Sequence, residues 1–452
     1  MSDAAAAAER PKGPLDRFLS IFTEVRGGEG FTSLLLTLNV FLLLTTYYII
    51  KPVREALILS VEGGAEIKAY AAAGQAALLL LVVPLYGAIA SRVPRRLLIT
   101  IVTLFFAACL VGFYFAAQAQ VANLGVIFYL WVGIFNLMVI AQFWAFANDI
   151  YSPEQGKRLF AIVAFGASIG AVMGSGIASA LIEPLGTNMM LIVSAVMLTS
   201  TLILLYWVEA RERSAREARA AETGTAVVEE ESIGGKENGF SLVFKDKYLL
   251  AIAGLLLVLN LVNTTGEYIL GSVVSDTAKA TVGPDGDVGA YIGKFYADFF
   301  GIVNIVGVVM QLFIVSRILK YFGVRIALMV LPTIALFGYG LLAVFPILSA
   351  VRWVKTLENA TDYSLNNTVR QVLFLPLSRE EKYKAKQAID SFFVRAGDAL
   401  QALLVFVGTT YLSFGTTQFA LVNIVLVVGW LALAGWIGYE NKRRVAATEA
   451  EA

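Results

Sequence analysis

The feature that most narrows the choice of fold is a succession of apolar runs about twenty residues long, the length a helix needs to cross a bilayer core. Twelve can be read along the chain. The first six occupy residues 31–50, 69–90, 97–117, 124–147, 159–182 and 189–208. After a polar stretch come 248–265, 291–315, 326–345, 350–375, 388–411 and 419–438. The tenth is the least hydropathic, because Arg352, Lys355, Glu358, Asp362 and Arg370 interrupt it. Only 15% of the 452 residues are charged and 58% are hydrophobic, so most of the chain must face something other than water. The expected fold is an all-α membrane protein of twelve transmembrane helices.

Loop charges give the orientation. With both termini cytoplasmic, the inner loops carry Arg92, Arg95 and Arg96, then Lys157 and Arg158, then Arg317, Lys320 and Arg325. The next inner loop holds Arg379, Lys382, Lys384 and Lys386, and the tail holds Lys442, Arg443 and Arg444. The opposite loops carry few cations beyond Lys68 and Lys279, beside the acids Glu62, Glu66, Asp285 and Asp287. That asymmetry follows the positive-inside rule and fits an even number of spans. The first residues are expected to be neither a cleavable apolar leader nor an organelle transit peptide. A multi-pass protein of a bacterial inner membrane is expected.

Composition removes several kinds of chemistry. A formal net charge of +1 offers no excess of cations for nucleic acid. Cys109 is the only cysteine, so an internal disulfide is impossible. The chain has no histidine, which removes histidine metal sites and leaves any proton handling to Asp and Glu. No cofactor, metal or catalytic set is expected. The stretch Gly289–Gly293 with Lys294 has too short a glycine spacing for a phosphate-binding loop and lacks its Ser or Thr, which argues against an ATP-driven pump.

The expected organisation is a cytoplasmic lead-in (1–30), a six-helix half (31–208), a cytoplasmic linker (209–247), a second six-helix half (248–438) and a short tail (439–452). Within the lead-in, 15–26 places Phe18, Leu19, Phe22 and Val25 on one helical face, suited to the inner membrane surface or to a plain approach to helix one. The halves echo one another. Lys68-Ala-Tyr70-Ala opens helix two, and Lys294-Phe-Tyr296-Ala opens helix eight. Helix two ends in Gly87-x-x-x-Ser91-Arg92-x-Pro94-Arg95-Arg96, and helix eight in Lys320-Tyr-Phe-Gly323-Val-Arg325. Paired six-helix halves are the arrangement of major-facilitator transporters. The first loop resembles that family's G-x-x-x-D-R-x-G-R-R signature, with Ser91 and Pro94 in place of its Asp and Gly. In helix five, Gly166-x-x-x-Gly170-x-x-x-Gly174 reads as a seam of close backbone packing, or as a gliding surface for rocking halves.

Charges inside the spans carry most of the functional information, because each costs about 2.5–3.5 kcal/mol at a bilayer centre on insertion scales. Helix one ends in Lys51-Pro52-Val53-Arg54-Glu55, after which the apolar run resumes, and Pro52 can kink or break the helix. Helix seven carries Asn260, Asn263 and Glu267, and helix eight carries Lys294 and Asp298. On helix ten, Lys355, Glu358, Asp362, Asn366 and Arg370 follow spacings of three and four, which stack them on one face. Such a stripe lines a water-filled route or is buried with its charges paired; the first is expected here. Arg395 and Asp398, one turn apart in helix eleven, read as an internal ion pair. Buried cations among carboxylates point to an anionic or zwitterionic solute, arginine being shaped for phosphate or carboxylate.

Three stretches resemble the nucleotide transporter family, the ATP/ADP translocases of plastids and obligate intracellular bacteria. They are Arg54-Glu55-Ala56-Leu57-Ile58-Leu59-Ser60 with 64–68, then Phe143-Trp144-x-Phe146-Ala147-Asn148-Asp149-Ile150, and Leu375-Pro376-Leu377 leading to 384–390. The resemblance runs over most of 31–440. It implies exchange of ATP for ADP, or import of nucleotides with protons. It places the family's helix-one lysine on Arg54, its late lysine on Arg370 and its helix-seven glutamate on Glu267. The family's helix-four glutamate falls near Val132, where no acid exists. Those departures bear on ATP/ADP exchange rather than on the fold.

The expected function is therefore a secondary transporter moving a nucleotide or related phosphorylated anion by alternating access. The residues expected to bind it are Lys51, Arg54, Glu55, Glu267, Lys294, Asp298, Lys355, Glu358, Asp362, Asn366 and Arg370. Another organic anion or a lipid headgroup as cargo, or a non-transporting scaffold or sensor, are the alternatives.

Overall fold

A computed structural model describes residues 11–451 except 22, 91, 152, 224–238, 284–285 and 379–380. Phe22, Ser91, Asp285, Arg379 and the middle of the linker lie outside the described residues. In chain order the first helices are α1 (Pro14–Leu19), α2 (Gly30–Leu59), α3 (Gly64–Ala90), α4 (Arg95–Gln118), α5 (Leu124–Ile150), α6 (Pro153–Leu185) and α7 (Met189–Thr223). Then follow α8 (Gly239–Lys245), α9 (Lys247–Val282), α10 (Val288–Phe313), α11 (Val315–Val344), α12 (Leu348–Thr361) and α13 (Asn367–Leu373). The last are α14 (Lys386–Ala388), α15 (Val394–Thr410) and α16 (Thr416–Glu451). Among the described residues, eleven helices are long and apolar enough to cross a membrane. The twelfth crossing is α12 continued through a π-helical turn, Asp362–Asn366, into α13, and its charges keep it out of that set. The chain is a multi-pass membrane protein.

Pro52 does not break α2. The helix runs on to Leu59, so Lys51, Arg54 and Glu55 lie inside one helix of 30 residues. The lead-in forms a shorter helix than its apolar spacing predicts. α1 has 6 residues, and Phe18 is exposed while Leu19 and Val25 are buried. The reason is Asp16, which accepts from the backbone N–H groups of Gly13 (2.9 Å), Gly28 (3.0 Å) and Gly30 (2.8 Å) and so folds the segment back on itself.

The chain forms two compact units. One comprises Met1–Arg54, Val83–Leu124 and Trp131–Glu229; the other comprises Glu55–Val82, Gly125–Leu130 and Glu230–Ala452. In the first unit the glycine repeat of α6 is a packing seam. A Cβ on Gly166 would stand 2.6 Å from the Thr37 carbonyl oxygen, and those on Gly170 and Gly174 would overlap the Phe41 and Thr45 carbonyls of α2. The Thr45 hydroxyl donates back to the Gly170 carbonyl at 3.2 Å. Gly170→Leu is expected to cost at least the 1–3 kcal/mol typical of overpacking, read as a lower melting temperature. Gly176→Ala, which meets open space on the same helix, should leave melting unchanged. The basic start of α4 is pinned in this unit too: Arg95 pairs with Asp149, and Arg96 meets Glu209 at 3.0 Å and lies 4.5 Å over the Tyr206 ring.

Glu29 anchors the lead-in, receiving both terminal nitrogens of Arg158 at 3.1 and 3.0 Å. Burial alone would raise the Glu29 carboxyl, but the Arg158 guanidinium with the Arg26 N–H and Gln155 outweighs it and holds it below the usual range. Asp16 is held down in the same way, the N–H groups of Gly28, Gly13 and Gly30 overcoming its desolvation. Both carboxylates titrate lower folded than unfolded. Their stabilisation is therefore complete above about pH 4, the ordinary carboxylate range, and is lost as pH falls through the folded values. The protection factors of the Gly13, Gly28 and Gly30 amides, exchange rates corrected for the intrinsic pH dependence, should thus be high at neutral pH and fall in acid; protection unchanged to strongly acidic pH would contradict this.

In the second unit α9 packs against α12, α15 and α16, and α11 lies along α16. Gly323 divides α11 with φ +73°, a left-handed backbone that an L side chain strains to adopt. A Cβ on Gly438 of α16 would meet Arg325 at 2.7 Å, so the loop that echoes the basic motif is seated tightly on the last helix.

Candidate functional site

The second unit holds a cluster of buried charges built by α9, α11 and α12. Lys355 of α12 is fully buried. Its ammonium donates to the Asn263 side-chain oxygen (2.8 Å), the Asn263 carbonyl (3.2 Å) and Glu358 Oε2 (3.0 Å). Those three bonds use all its protons. Glu267 Oε1 stands farther off at 3.5 Å, paired by charge and steadied by the Asn359 amide at 3.0 Å. Glu358 is capped from the other side by the Tyr339 hydroxyl, 3.0 and 3.2 Å from its two oxygens. Each charge of this cluster thus faces an opposite one, which a low-dielectric interior demands. Glu267 is the loosest member, its side chain 24% exposed against 2% for Glu358.

Two local features make room for the cluster. Gly266 precedes Glu267, and a Cβ there would overlap the Tyr339 hydroxyl and come within 2.9 Å of the Lys355 nitrogen. The π turn Asp362–Asn366 follows the cluster on its own helix. Inserting such a turn shifts the helical face and is frequent at functional sites. A second buried pair lies within electrostatic reach of Glu267: Glu55, from the end of α2, and Lys68, from the start of α3, at 2.6 Å. Lys68 also stands 5.5 Å over the Tyr296 ring. These ends of α2 and α3 are fastened to α9 by Tyr268 donating to Glu66 (2.8 Å) and Ser275 donating to the Leu59 carbonyl (2.9 Å).

The structure therefore brings Glu267, Lys355 and Glu358 into contact and sets Glu55 nearby. The other predicted residues fall elsewhere. Lys294 and Asp298 pair with each other along α10 at 3.7 Å. Asn366 donates to Asp362 across the π turn at 2.7 Å. Arg370 meets Asp390 at 3.2 Å, and Lys386 shares that carboxylate at 3.3 Å. Lys51 lies in the first unit, buried, 5.3 Å over the Tyr48 ring, and half-buried Arg54 is the last residue of that unit. The expectation of one continuous water-facing stripe on helix ten is corrected. Lys355 and Glu358 are buried against each other, Asn366 is buried too, and Asp362 and Arg370 are half-buried; the π turn shifts the helical face only from Asp362 onward. Arg395 and Asp398 do pair, at 3.3 Å, and Asn260 adds a 2.7 Å bond to Asp398.

Sequence reasoning missed Gly266, Tyr339, Asn359, Lys68 and Tyr268 as members of the cluster or its fastenings. The available signals were a glycine beside an intramembrane acid and a tyrosine between Gly338 and Gly340 in an apolar run. Val132, where the family resemblance expects a carboxylate, is fully buried. Among the described residues, no group of three or more Cys, Asp or Glu side chains is placed to hold a metal ion.

Comparison with known proteins agrees with this architecture. The "ADP,ATP carrier protein 1" of Chlamydia pneumoniae is 25% identical over 348 residues, covering 66% of this chain and 64% of that protein. The chloroplastic "ADP,ATP carrier protein 1" of Arabidopsis thaliana is 23% identical over 355 residues, covering 68% and 53%. This chain thus spans less than two thirds of the length of either relative. Among solved structures, a nucleoside transporter superposes with TM-score 0.61 at 15% identity, covering 90% of this chain and 98% of that one. An auto-inhibited peptide transporter superposes with TM-score 0.63 at 9% identity, covering 92% and 97%. Residues 35–357 match the Major Facilitator Superfamily, and the chain belongs to that superfamily.

Proposed function

We propose that this protein is a secondary transporter, not an enzyme, that moves a nucleotide or related phosphorylated anion across a bacterial inner membrane by alternating access. The six-helix halves 31–208 and 248–438 would rock about the bound solute, with both termini cytoplasmic, as the loop cations favour. The observation that carries the reading is the fully buried Lys355, bonded to Glu358 at 3.0 Å while Glu267 stands at 3.5 Å. A phosphate oxygen would take the ammonium proton now held by an Asn263 oxygen and compete with Glu267 for the charge, leaving Glu358 bonded, so anion binding and release of a carboxylate would be one event. Released Glu267 is then available to a proton or to the solute's ring. Arg370, in the same unit, would supply a planar fork suited to phosphate. The relatives named ADP,ATP carrier proteins support nucleotide as the cargo.

Thermal shift of the purified full chain with ADP, ATP, adenosine and simple carboxylates tests this. A ligand at a hundred times its Kd stabilises the folded state by about 2.7 kcal/mol. ADP or ATP should raise the melting temperature and adenosine should not. A shift with carboxylates alone would move the cargo to another organic anion.

A further inference from the structure

Arg352 interrupts the tenth apolar run, yet the cluster around Lys355 makes no use of it. It lies on α12 three residues before Lys355, which makes the two neighbours on the helix surface, about 5–6 Å apart at their Cβ atoms. Two cations so placed repel each other unless an anion lies between them. Arg352 is half-buried, with its guanidinium 5.5 Å over the Phe295 ring of α10. Among the described residues it pairs with no carboxylate. The one acid of α10, Asp298, is paired with Lys294 at 3.7 Å, and the one acid of α12, Glu358, is bonded to Lys355 at 3.0 Å. The Nε of Arg352 is buried and, among the described residues, has no hydrogen-bond partner. The ring offsets part of the charge but gives the five N–H donors no oxygen. A cation reaching out to the membrane surface would carry its donors into water, and a buried Nε does not fit that role. Left unsatisfied, such a donor is costly, and an incoming oxygen relieves the cost. Guanidinium matches phosphate oxygens in shape and charge. With Lys355 receiving one phosphate, Arg352 stands one turn away for a second linked to it.

We propose that Arg352 binds the second phosphate of a nucleoside di- or triphosphate and so makes the site select linked phosphates over a single one. The proposal rests on the transport reading above, in which Lys355 takes the first phosphate. Isothermal titration calorimetry of the purified full chain with ADP and AMP tests it, with inorganic pyrophosphate and phosphate as probes that lack a base. Native protein should bind ADP at least about tenfold more tightly than AMP, and pyrophosphate more tightly than phosphate by a similar factor, the yield of one charge-assisted hydrogen bond. In Arg352→Gln both ratios should fall to about one. Arg352→Lys keeps the charge and should keep part of the preference, which separates lost charge from lost folding. Ratios near one in the native protein, or ratios that Arg352→Gln leaves unchanged, would overturn the proposal and leave nucleotide transport standing. Selective binding of pyrophosphate without binding of either nucleotide would support Arg352 and refute the nucleotide cargo. Native protein that binds none of the four would overturn both. Added dioleoylphosphatidylglycerol should leave ADP affinity unchanged. If it weakens ADP binding to the native protein but not to Arg352→Gln, the guanidinium holds a lipid phosphate and the proposal falls.

Discussion

Lys355→Met is expected to abolish uptake and to destabilise the protein by about 3–5 kcal/mol, the cost of leaving a buried charge without its partner. The stability loss comes mainly from Glu358, which is 2% exposed and relies on the ammonium 3.0 Å away. Glu267 suffers less, since it is 24% exposed and keeps the Asn359 amide. Adding Glu358→Gln to Lys355→Met removes the orphaned charge and should restore most of the melting temperature. It should restore none of the uptake, because the cation that receives the solute's anion is still missing. Recovery of both together would show that Lys355 serves stability alone.

Gly266→Ala is the smallest change expected to have a large effect. The added methyl would overlap the Tyr339 hydroxyl and crowd the Lys355 nitrogen, so the tyrosine must withdraw from Glu358. Overpacking of this kind costs about 1–3 kcal/mol. If that cost falls on the transport-competent arrangement, uptake drops about tenfold for each 1.4 kcal/mol. Tyr339→Phe removes the oxygen that the methyl strikes. On its own it should be destabilising, since it takes a donor from a buried carboxylate. Combined with Gly266→Ala it should be less harmful than the two losses added, a coupling that melting curves can measure. Strict additivity would mean that Gly266 does not shape the cluster.

Much of the fold was legible in the sequence, because lipid leaves a chain few options. Apolar runs of spanning length, cation-rich loops on one side and a glycine repeat each translate into one structural consequence. The repeat 166–174 illustrates this, since its spacing alone matches the carbonyls of Thr37, Phe41 and Thr45 on α2. The site was only partly legible. Glu267, Lys355 and Glu358 stood out as charges in apolar surroundings, but which of them touch depends on how α9, α11 and α12 pack. The π turn was invisible to a helical-spacing rule, and so the stripe through Arg370 was drawn straighter than it is. Tyr339 and Asn359 are uncharged and carried no cost that would have flagged them. Arg370 shows another limit of spacing, since its partner Asp390 sits twenty positions away.

Uptake of labelled ADP and ATP into proteoliposomes, with and without nucleotide inside, tests the central claim most directly. The expected result is saturable uptake by the native protein, dependent on internal nucleotide for exchange or on a proton gradient for symport, and absent from the Lys355→Met, Glu358→Gln protein. No uptake of any nucleotide by folded native protein, or full uptake by that variant, would contradict it.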